Sequence, residues 1–172
     1  FVITGAAGSI VSATTQDLAR AAGGGTFHLL DLVSAPDPDD PDLERFVSDK
    51  EGLKSELIER IKGGGERPTP KLVERELARI ERARAGLDAI DAIRAAGGES
   101  RWHQVDLTEA AAVGEALAEL RGERVDVLLH CAGLDVSHFL PDKPQREYDL
   151  VFDVKVDGWF ALLHALRDCE IG

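Results

Sequence analysis

The opening segment, FVITGAAGSIV, restricts the fold more than any other part of the chain. FVIT is typical of a buried strand, and the following SIVSATTQDLARAAGGG has a helical pattern closed by glycines, which suit a helix C-terminus. Gly5 and Gly8 fall in the turn between the two. A strand, a tight turn and a helix in this order predict the start of a parallel sheet that is covered by helices.

Three more apolar runs of strand length follow, namely TFHLLDL, RWHQVDL and VDVLLHCAG. Each is apolar on both faces, as strands inside a parallel sheet are. The stretch TEAAAVGEALAELRG, between the third and fourth strands, predicts a helix with Thr108 as its N-cap. The alternation predicts an α/β fold, a Rossmann-type doubly wound parallel sheet.

The connection from Asp31 to Arg101 is much longer than a plain strand–helix–strand crossover. Its first part, DLVSAPDPDDPDLERF, is rich in proline and aspartate and predicts a solvated loop. We interpret residues 37–98 as a helical insertion within a single domain rather than a second domain. The apolar stripes in the insertion are narrow and need a neighbouring core to pack against.

Within that insertion, residues 50–96 predict two helices joined around Gly63–Pro68. Ser48 and Glu51 have capping-box spacing before the first of them. The second begins with Thr69 as cap and Pro70 at the first helical position, which is the position that tolerates proline.

Composition excludes several classes of function. The formal charge of −12 argues against binding to a nucleic acid backbone or to an anionic membrane surface. The two cysteines, Cys131 and Cys169, form no disulfide framework and no metal-ligand spacing, so we expect no metal and a cytoplasmic location. No methionine occurs in the 172 residues, so we expect the chain to be a piece of a longer protein.

The glycine turn has the features of a phosphate-binding loop. Gly5 and Gly8 permit close approach of the backbone to an anion, and the following helix N-terminus presents N–H groups to it. Ser9 adds a hydroxyl group. Val11 stands where a third glycine is usual, but that glycine serves helix–strand packing rather than phosphate contact.

Polar or small residues follow the other predicted strands. Asp31 ends the second strand about 20 residues after the loop, where a carboxylate can bind a ribose 2′-hydroxyl. Asp106 ends the third strand, where it can reach an adenine. Ala132 and Gly133 end the fourth and are small enough for a ribose to lie against the backbone. Both aspartates also suit plain capping roles, with Thr108 as a competitor of Asp106, but together these strand ends indicate a nucleotide site.

Lys155 lies in the middle of an apolar stripe on the helix predicted after the fourth strand. At about 100° per residue, five apolar or aromatic residues fall within roughly 60° of it: Tyr148, Val151, Phe152, Trp159 and Leu162. A lysine in such a stripe must be paired, lowered in pKa or directed into a polar cleft. We therefore interpret Lys155 as a functional residue rather than a surface lysine.

The motifs TGAAGSI, VDLT, LLHCAG and VFDVKVDGWFALLHAL resemble the short-chain dehydrogenase/reductase superfamily, in its ketoreductase-domain branch. That branch serves polyketide and fatty-acid synthases. The insertion LKSELIERIKGGGERPTPKLVERELARI resembles the one in ketoreductases of polyunsaturated-fatty-acid synthases. The resemblance covers essentially the whole chain.

The resemblance implies reduction of a 3-oxoacyl thioester, carried on an acyl carrier protein, with NADPH or NADH as cofactor. Other domains of a multienzyme synthase are implied as partners. It implies that Lys155 is the active-site lysine, that Gly5, Gly8 and Ile10 form the phosphate loop, that Asp106 contacts the adenine and that Ala132–Gly133 support the ribose. Apart from Lys155, these are the residues that we predict to bind the cofactor, together with four others: Thr4, Ser9, Asp31 and Leu107.

Two departures from the family pattern matter. The family's catalytic serine and tyrosine lie beyond this helix, and Tyr148 does not match that tyrosine, so we expect residues 1–172 to be the N-terminal part of the domain. NADPH-dependent relatives commonly have an arginine after the second strand, where DLV stands here. A carboxylate at Asp31 repels a 2′-phosphate and favours NADH, whereas the family favours NADPH, and the sequence leaves this choice open.

Two other functions are compatible with the sequence. Multienzyme synthases contain Rossmann-like subdomains that are structural and not catalytic, and such a subdomain usually lacks both the phosphate loop and the lysine. A nucleotide-sensing domain without chemistry is the other alternative.

Overall fold

The computed structural model describes residues 1–172, apart from the side chain of Leu140. The first half of the chain forms β1 (Val2–Thr4), α1 (Ser9–Ala22), β2 (Thr26–Asp31), α2 (Pro41–Ser48), α3 (Lys50–Gly63), α4 (Pro70–Ala95) and β3 (Glu99–Gln104). The second half forms α5 (Ala110–Ala116), β4 (Arg124–Val125), β5 (Leu128–His130), α6 (Gln145–Phe152), α7 (Gly158–Ala165) and β6 (Glu170–Ile171).

The main sheet has four parallel strands in the order β3–β2–β1–β5, while β4 and β6 pair separately. Thr4 at the end of β1 lies between Leu30 of β2 and His130 of β5. The carboxyl ends of these three strands therefore meet at one edge, and the turn Gly5–Gly8 begins there. This confirms the predicted α/β sheet, with the glycine turn at its carboxyl edge.

Side chains along each strand alternate between the two faces of the sheet, so both faces carry apolar groups. Helices cover each of these faces. One core contains side chains of β1, β2, α1 and α4, among them Ile3, Ala19, Phe27, Leu29 and Ile93. The opposite core contains side chains of β1, β2, α5 and α7, among them Val2, Leu30, Val113, Leu162 and Leu166.

The two helices predicted for residues 50–96 are confirmed as α3 and α4. Thr69 caps α4 by accepting a hydrogen bond from the Leu72 N–H at 3.3 Å, and Pro70 occupies the first helical position. Their apolar side chains form a third core with α2, made of Leu43, Leu53, Leu57, Ile80 and Leu87. The C-terminal half of α4 leaves this core and packs on the sheet through Ile93.

The prediction of a solvated loop before α3 was wrong in part, because that segment contains α2. Asp40 caps this helix by accepting from the Asp42 N–H at 2.9 Å, and Pro41 follows at the first position. Leu43 is buried, and the buried Asp42 pairs with Arg60 of α3 at 2.6 Å. The prediction missed α2 because its polar residues serve as cap and ion-pair partners.

Two predicted helix caps were also wrong. Asp49, not Ser48, caps α3 by accepting from the Gly52 N–H at 3.0 Å, while the Ser48 hydroxyl donates to the Glu44 carbonyl of α2. Helix α5 begins after Glu109, and the Thr108 hydroxyl donates to Asp106 instead. In both places the aspartate is the stronger acceptor of the local N–H groups.

Two predicted strands differ from expectation. β3 is an edge strand whose residues are half-buried or exposed, rather than buried on both faces. The run VDVLLHCAG is divided between β4 and β5, with Asp126 and Val127 between the two strands. Within the described residues, no helix combines the length and apolar character needed to cross a membrane.

Candidate functional site

A cavity of about 430 Å³ opens where the carboxyl ends of β1, β2 and β5 meet. Most of the residues predicted to bind a nucleotide line it: Gly5, Gly8, Asp31, Asp106, Leu107, Ala132 and Gly133. Arg82 of α4 and Val154 line it as well. Segments that are far apart in sequence therefore form one cleft.

Geometry requires the glycine at position 5 and leaves little room for a side chain at position 8. Gly5 has a φ of +72°, and a Cβ there would lie 2.9 Å from the Ala132 backbone nitrogen. A Cβ on Gly8 would lie 3.1 Å from the Gly5 carbonyl oxygen. The turn thus packs directly against the end of β5, and a larger residue at Gly5 would push the two apart.

Helix α1 begins at the floor of this cleft with unpaired N–H groups. Its N-cap is Gly8, and among the described residues there is neither a side-chain cap nor an acidic residue in the first turn. In the described hydrogen bonds, the Gly8 N–H is used within the turn, whereas those of Ser9 and Ile10 have no acceptor. Such a helix start attracts an anion. The Ser9 and Ile10 side chains are exposed and lie outside the cavity lining.

Thr4 does not line the cavity but holds its floor together. Its hydroxyl oxygen, which is fully buried, accepts from the N–H groups of Cys131 and Ala132, each at 3.1 Å. The same oxygen lies 2.9 Å from Nδ1 of His130. Since both lone pairs are occupied, the hydroxyl proton points to His130, and Thr4 fixes the turn at the end of β5.

His130 links this network to the segment that carries Lys155. Its Nε2 lies 3.0 Å from the Lys155 carbonyl oxygen, so Nε2 donates and Nδ1 accepts from Thr4. Burial lowers the pKa of His130 below its ordinary value, against the opposing effect of the Lys155 carbonyl. A neutral imidazole is the form that this arrangement needs. The sequence analysis quoted the LLHCAG motif but assigned no role to His130.

Lys155 lies on a wide π-helical turn, Asp153–Asp157, between α6 and α7. Its ammonium group donates to the carbonyls of His130 at 2.9 Å and Ala132 at 3.3 Å. The side chain also lies against Gly133, since a Cβ there would be 3.8 Å from the Lys155 Cδ. The predicted functional lysine is therefore at the rim of the cleft, beside the turn after β5.

The predicted apolar stripe around Lys155 was wrong in part. Leu162 is buried in the core, but Tyr148 and Phe152 are exposed and stack on one another. The prediction assumed a uniform helix of 100° per residue, and the π turn breaks that periodicity.

Asp31 is less available than predicted. Its side chain is only 2% exposed. It accepts from the Ala7 N–H at 2.9 Å and the Val33 N–H at 3.2 Å, and it pairs with Arg82 at 2.7 Å. The carboxylate thus ties the glycine turn to the end of β2. The sequence analysis missed Arg82 because no local pattern links residues so distant in the chain.

Asp106 is exposed at the cleft, next to the buried Leu107. Its Oδ1 accepts from the Thr108 N–H at 2.9 Å and from the Thr108 hydroxyl at 2.8 Å. Asp106 therefore caps a local turn while facing the cavity, and its predicted adenine contact stays a prediction.

Comparison with known proteins agrees with this geometry. Residues 72–172 match the family model of the KR domain. A polyunsaturated fatty acid synthase subunit of Thraustochytrium sp. is 27% identical over 96% of the chain, and the match covers 6% of that protein. Short-chain reductase protein NovJ of Streptomyces niveus is 39% identical over 40% of the chain, which corresponds to 27% of that protein.

Solved structures show the same fold. NAD⁺-bound xylitol dehydrogenase superposes with a TM-score of 0.57 at 22% identity, covering 97% of this chain and 46% of that one. Carveol dehydrogenase from Mycobacterium avium, in complex with NAD, gives 0.58 at 15% identity over 95% of this chain and 46% of that one. The chain spans about half the length of these structures. With the family model matching more than half of its residues, the chain belongs to the KR-domain family.

Proposed function

We propose that the chain is part of a reductase that uses NADPH or NADH to reduce a 3-oxoacyl thioester on an acyl carrier protein to the 3-hydroxyacyl thioester. Membership of the KR-domain family supports the reaction class. The relative named as a polyunsaturated fatty acid synthase supports a multienzyme setting, with other synthase domains as partners. Relatives of the same fold are described as bound to NAD, which supports a nicotinamide cofactor.

The residues present fit such a cofactor. The unpaired N–H groups of Ser9 and Ile10 lie at the start of α1, where a diphosphate is stabilised. Gly5 and Gly8 keep the backbone accessible, Asp106 faces the region for an adenine, and the turn Ala132–Gly133 offers a flat surface for the second ribose. Bound there, the cofactor supplies the hydride for the reduction.

The observation that carries the proposal is the position of Lys155. Two of its three ammonium donors are held by carbonyls at the end of β5, which leaves the third for a ribose hydroxyl or a proton relay. His130 fixes the backbone of the same π turn by its bond to the Lys155 carbonyl. The lysine side chain is therefore held in a fixed orientation at the rim of the cleft.

We further propose that residues 1–172 are the N-terminal part of one Rossmann-type domain and that residues 37–98 are an insertion in it. The serine and tyrosine that donate to the substrate carbonyl then belong to segments beyond residue 172. Activity must for this reason be measured on the full-length protein.

The test is reduction of acetoacetyl-acyl carrier protein and of acetoacetyl-CoA by the full-length protein. The reaction is monitored through the disappearance of the reduced cofactor. We expect the carrier-bound substrate to react faster. Lys155→Met should lower kcat by about 10²–10⁴-fold, which is the usual contribution of a positioned proton-transfer group. Lys143→Gln is the matched control, since Lys143 donates to the Val136 carbonyl at 3.0 Å on the loop before α6.

Cofactor binding is measured on the same variants by calorimetry. If the protein binds the cofactor but reduces no 3-oxoacyl thioester, it is a nucleotide-sensing domain and not a reductase. Absence of cofactor binding in the folded wild-type protein would leave only a structural role.

A further inference from the structure

Arg82 is the one basic side chain among the residues lining the cleft, within the part of the chain that the structure describes. It lies on α4, which belongs to the helical insertion, and its Nη2 donates to the Asp31 Oδ1 at 2.7 Å. The arginine side chain is 45% exposed, whereas that of Asp31 is 2% exposed. Both residues line the cleft, and the guanidinium is the more accessible member of the pair.

Asp31 is held in this orientation from the protein side. The Ala7 N–H from the glycine turn binds one carboxylate oxygen, and the Val33 N–H and Arg82 bind the other. Because both carboxylate oxygens already accept hydrogen bonds, Asp31 is less available to a ribose hydroxyl than a free carboxylate would be. The positive charge of Arg82 compensates the repulsion that the Asp31 carboxylate alone would exert on a phosphate.

The position of α4 is fixed by close packing next to Arg82. The Ser12 hydroxyl of α1 donates to the Ala85 carbonyl at 2.6 Å, in a buried contact. A Cβ on Gly86 would lie 3.0 Å from the ring of Trp102, whose Nε1 donates to the Val33 carbonyl at 3.0 Å. These contacts fix the position of α4 one turn after Arg82. The packing of the helix therefore holds the Arg82 guanidinium at the end of β2.

Most hydrogen-bond donors of the Arg82 guanidinium are unused. In the described hydrogen bonds it uses one N–H, out of the five that an arginine offers. A planar cation with free paired donors is the preferred ligand of a phosphate. The end of β2, beside the glycine turn, is where the adenosine ribose lies in sheets of this type.

We propose that Arg82, held by Asp31, binds the 2′-phosphate of NADPH, and that the helical insertion therefore sets the cofactor preference. This inference rests on the proposed function, since it requires a nicotinamide dinucleotide in the cleft. It also resolves the choice that the sequence left open, because the charge that selects the phosphate comes from an element far from β2 in sequence.

Acidic groups near Arg82 limit the size of the effect. Asp106 faces the same cavity, and Asp37 and Asp40 line a neighbouring cavity that Arg82 also borders. Arg79, one turn earlier on α4, borders that second cavity and partly offsets them. We therefore expect a preference for NADPH of about tenfold to a hundredfold, which corresponds to one well-placed charge pair.

The experiment is calorimetric titration of the full-length protein with NADPH, NADH, adenosine 2′,5′-bisphosphate and ADP. Wild type should bind NADPH at least about tenfold tighter than NADH. Arg82→Gln should lose most of that preference, with NADH affinity changed by less than about threefold. Arg94→Gln, which removes an exposed charge from the same helix where it pairs with Asp91, should bind like wild type.

The double variant Asp31→Asn/Arg82→Gln separates attraction by Arg82 from repulsion by an unmasked Asp31. If it also lacks the preference for the 2′-phosphate ligands, Arg82 itself binds the phosphate. Titrating the wild-type protein at rising salt concentration tests the same point without a substitution that could affect folding. Salt screens the attraction between Arg82 and the phosphate, so the NADPH/NADH affinity ratio should fall.

Binding of both cofactors with equal affinity, or a wild-type preference for NADH, would overturn the inference and leave the proposed function intact. A ratio that does not respond to Arg82→Gln would also overturn it. If neither nicotinamide cofactor binds, the proposed function fails and the inference fails with it.

Discussion

The two ends of the cleft are built on different principles. Around β1 and β5, the network of Thr4, His130 and Lys155 consists of hydrogen bonds to backbone groups and one between the Thr4 and His130 side chains, with a neutral imidazole at its centre. Around β2, the contact is an ion pair between Asp31 and Arg82, which are 51 residues apart in the chain. Under the proposed function, the first end binds features common to all nicotinamide nucleotides, whereas the second distinguishes between them.

The difference shows where each property is encoded. Residues of the first end fall in short motifs, because a strand and its following turn must fit each other locally. The second end depends on α4, a helix that reaches the site only through tertiary packing. We expect damage to the first end to affect both cofactors equally and damage to the second end to change only their ratio.

The largest effect is expected from Thr4→Val, which keeps the shape but removes the hydroxyl. The N–H groups of Cys131 and Ala132 and Nδ1 of His130 would then lose their partner at a partly buried site. Since each unsatisfied buried group costs about 1–3 kcal/mol and these three are only partly shielded from water, the free energy of unfolding should fall by about 3 kcal/mol.

Urea unfolding measures this change, and Thr4→Ser is the control because it keeps the hydroxyl. Serine should recover most of the loss. Equal destabilisation by valine and serine would mean that the methyl packing of Thr4, and not the network, holds this end together.

A smaller loss is expected from Gly5→Ala. The alanine Cβ would approach the Ala132 nitrogen to 2.9 Å at a φ of +72°. Strain of this kind costs about 2 kcal/mol, and the affinities for NADPH and NADH should fall by the same factor. Gly114→Ala, in α5 with no atom within 4 Å of the new Cβ, should instead stabilise the protein by up to about 1 kcal/mol.

Thermal unfolding and cofactor titration on the two glycine variants provide the comparison. A change in the NADPH/NADH affinity ratio in Gly5→Ala would contradict the expectation that only the end of the cleft around β2 distinguishes the two cofactors.

The smallest effect concerns the titration of His130. Burial holds its folded-state pKa below the ordinary value of 6.5, so the unfolded chain binds the proton first as the pH falls. The stability contributed by neutral His130 is therefore complete above pH 6.5 and is lost as the pH falls towards the folded-state pKa.

Comparing wild type with His130→Gln isolates this contribution, since His28 and His103 titrate in both proteins. The stability advantage of wild type at neutral pH should shrink as the pH is lowered. An advantage that is constant between pH 7 and pH 5 would show that the charge state of His130 does not matter to the network.

Most of the fold was predictable because it depends on local patterns. The strand–turn–helix at Gly5 and the cap and proline at Thr69 and Pro70 each use nearest-neighbour chemistry. The errors arose where polar residues had tertiary partners, as with Asp42 in α2 and its ion pair to Arg60. The apolar stripe around Lys155 failed for a related reason, since a π turn is not visible in residue composition.

By itself, the sequence determined the four strands of the main sheet, most of the helices between them, the glycine turn and the presence of a lysine after the fourth strand. These follow from periodicity and from the steric freedom of glycine, which act over a few residues. Only the tertiary structure decided the state of Asp31, because the cation that pairs with it arrives on α4. Burial and ion pairing depend on which distant segments meet, and that is settled when α4 packs against α1 and the sheet.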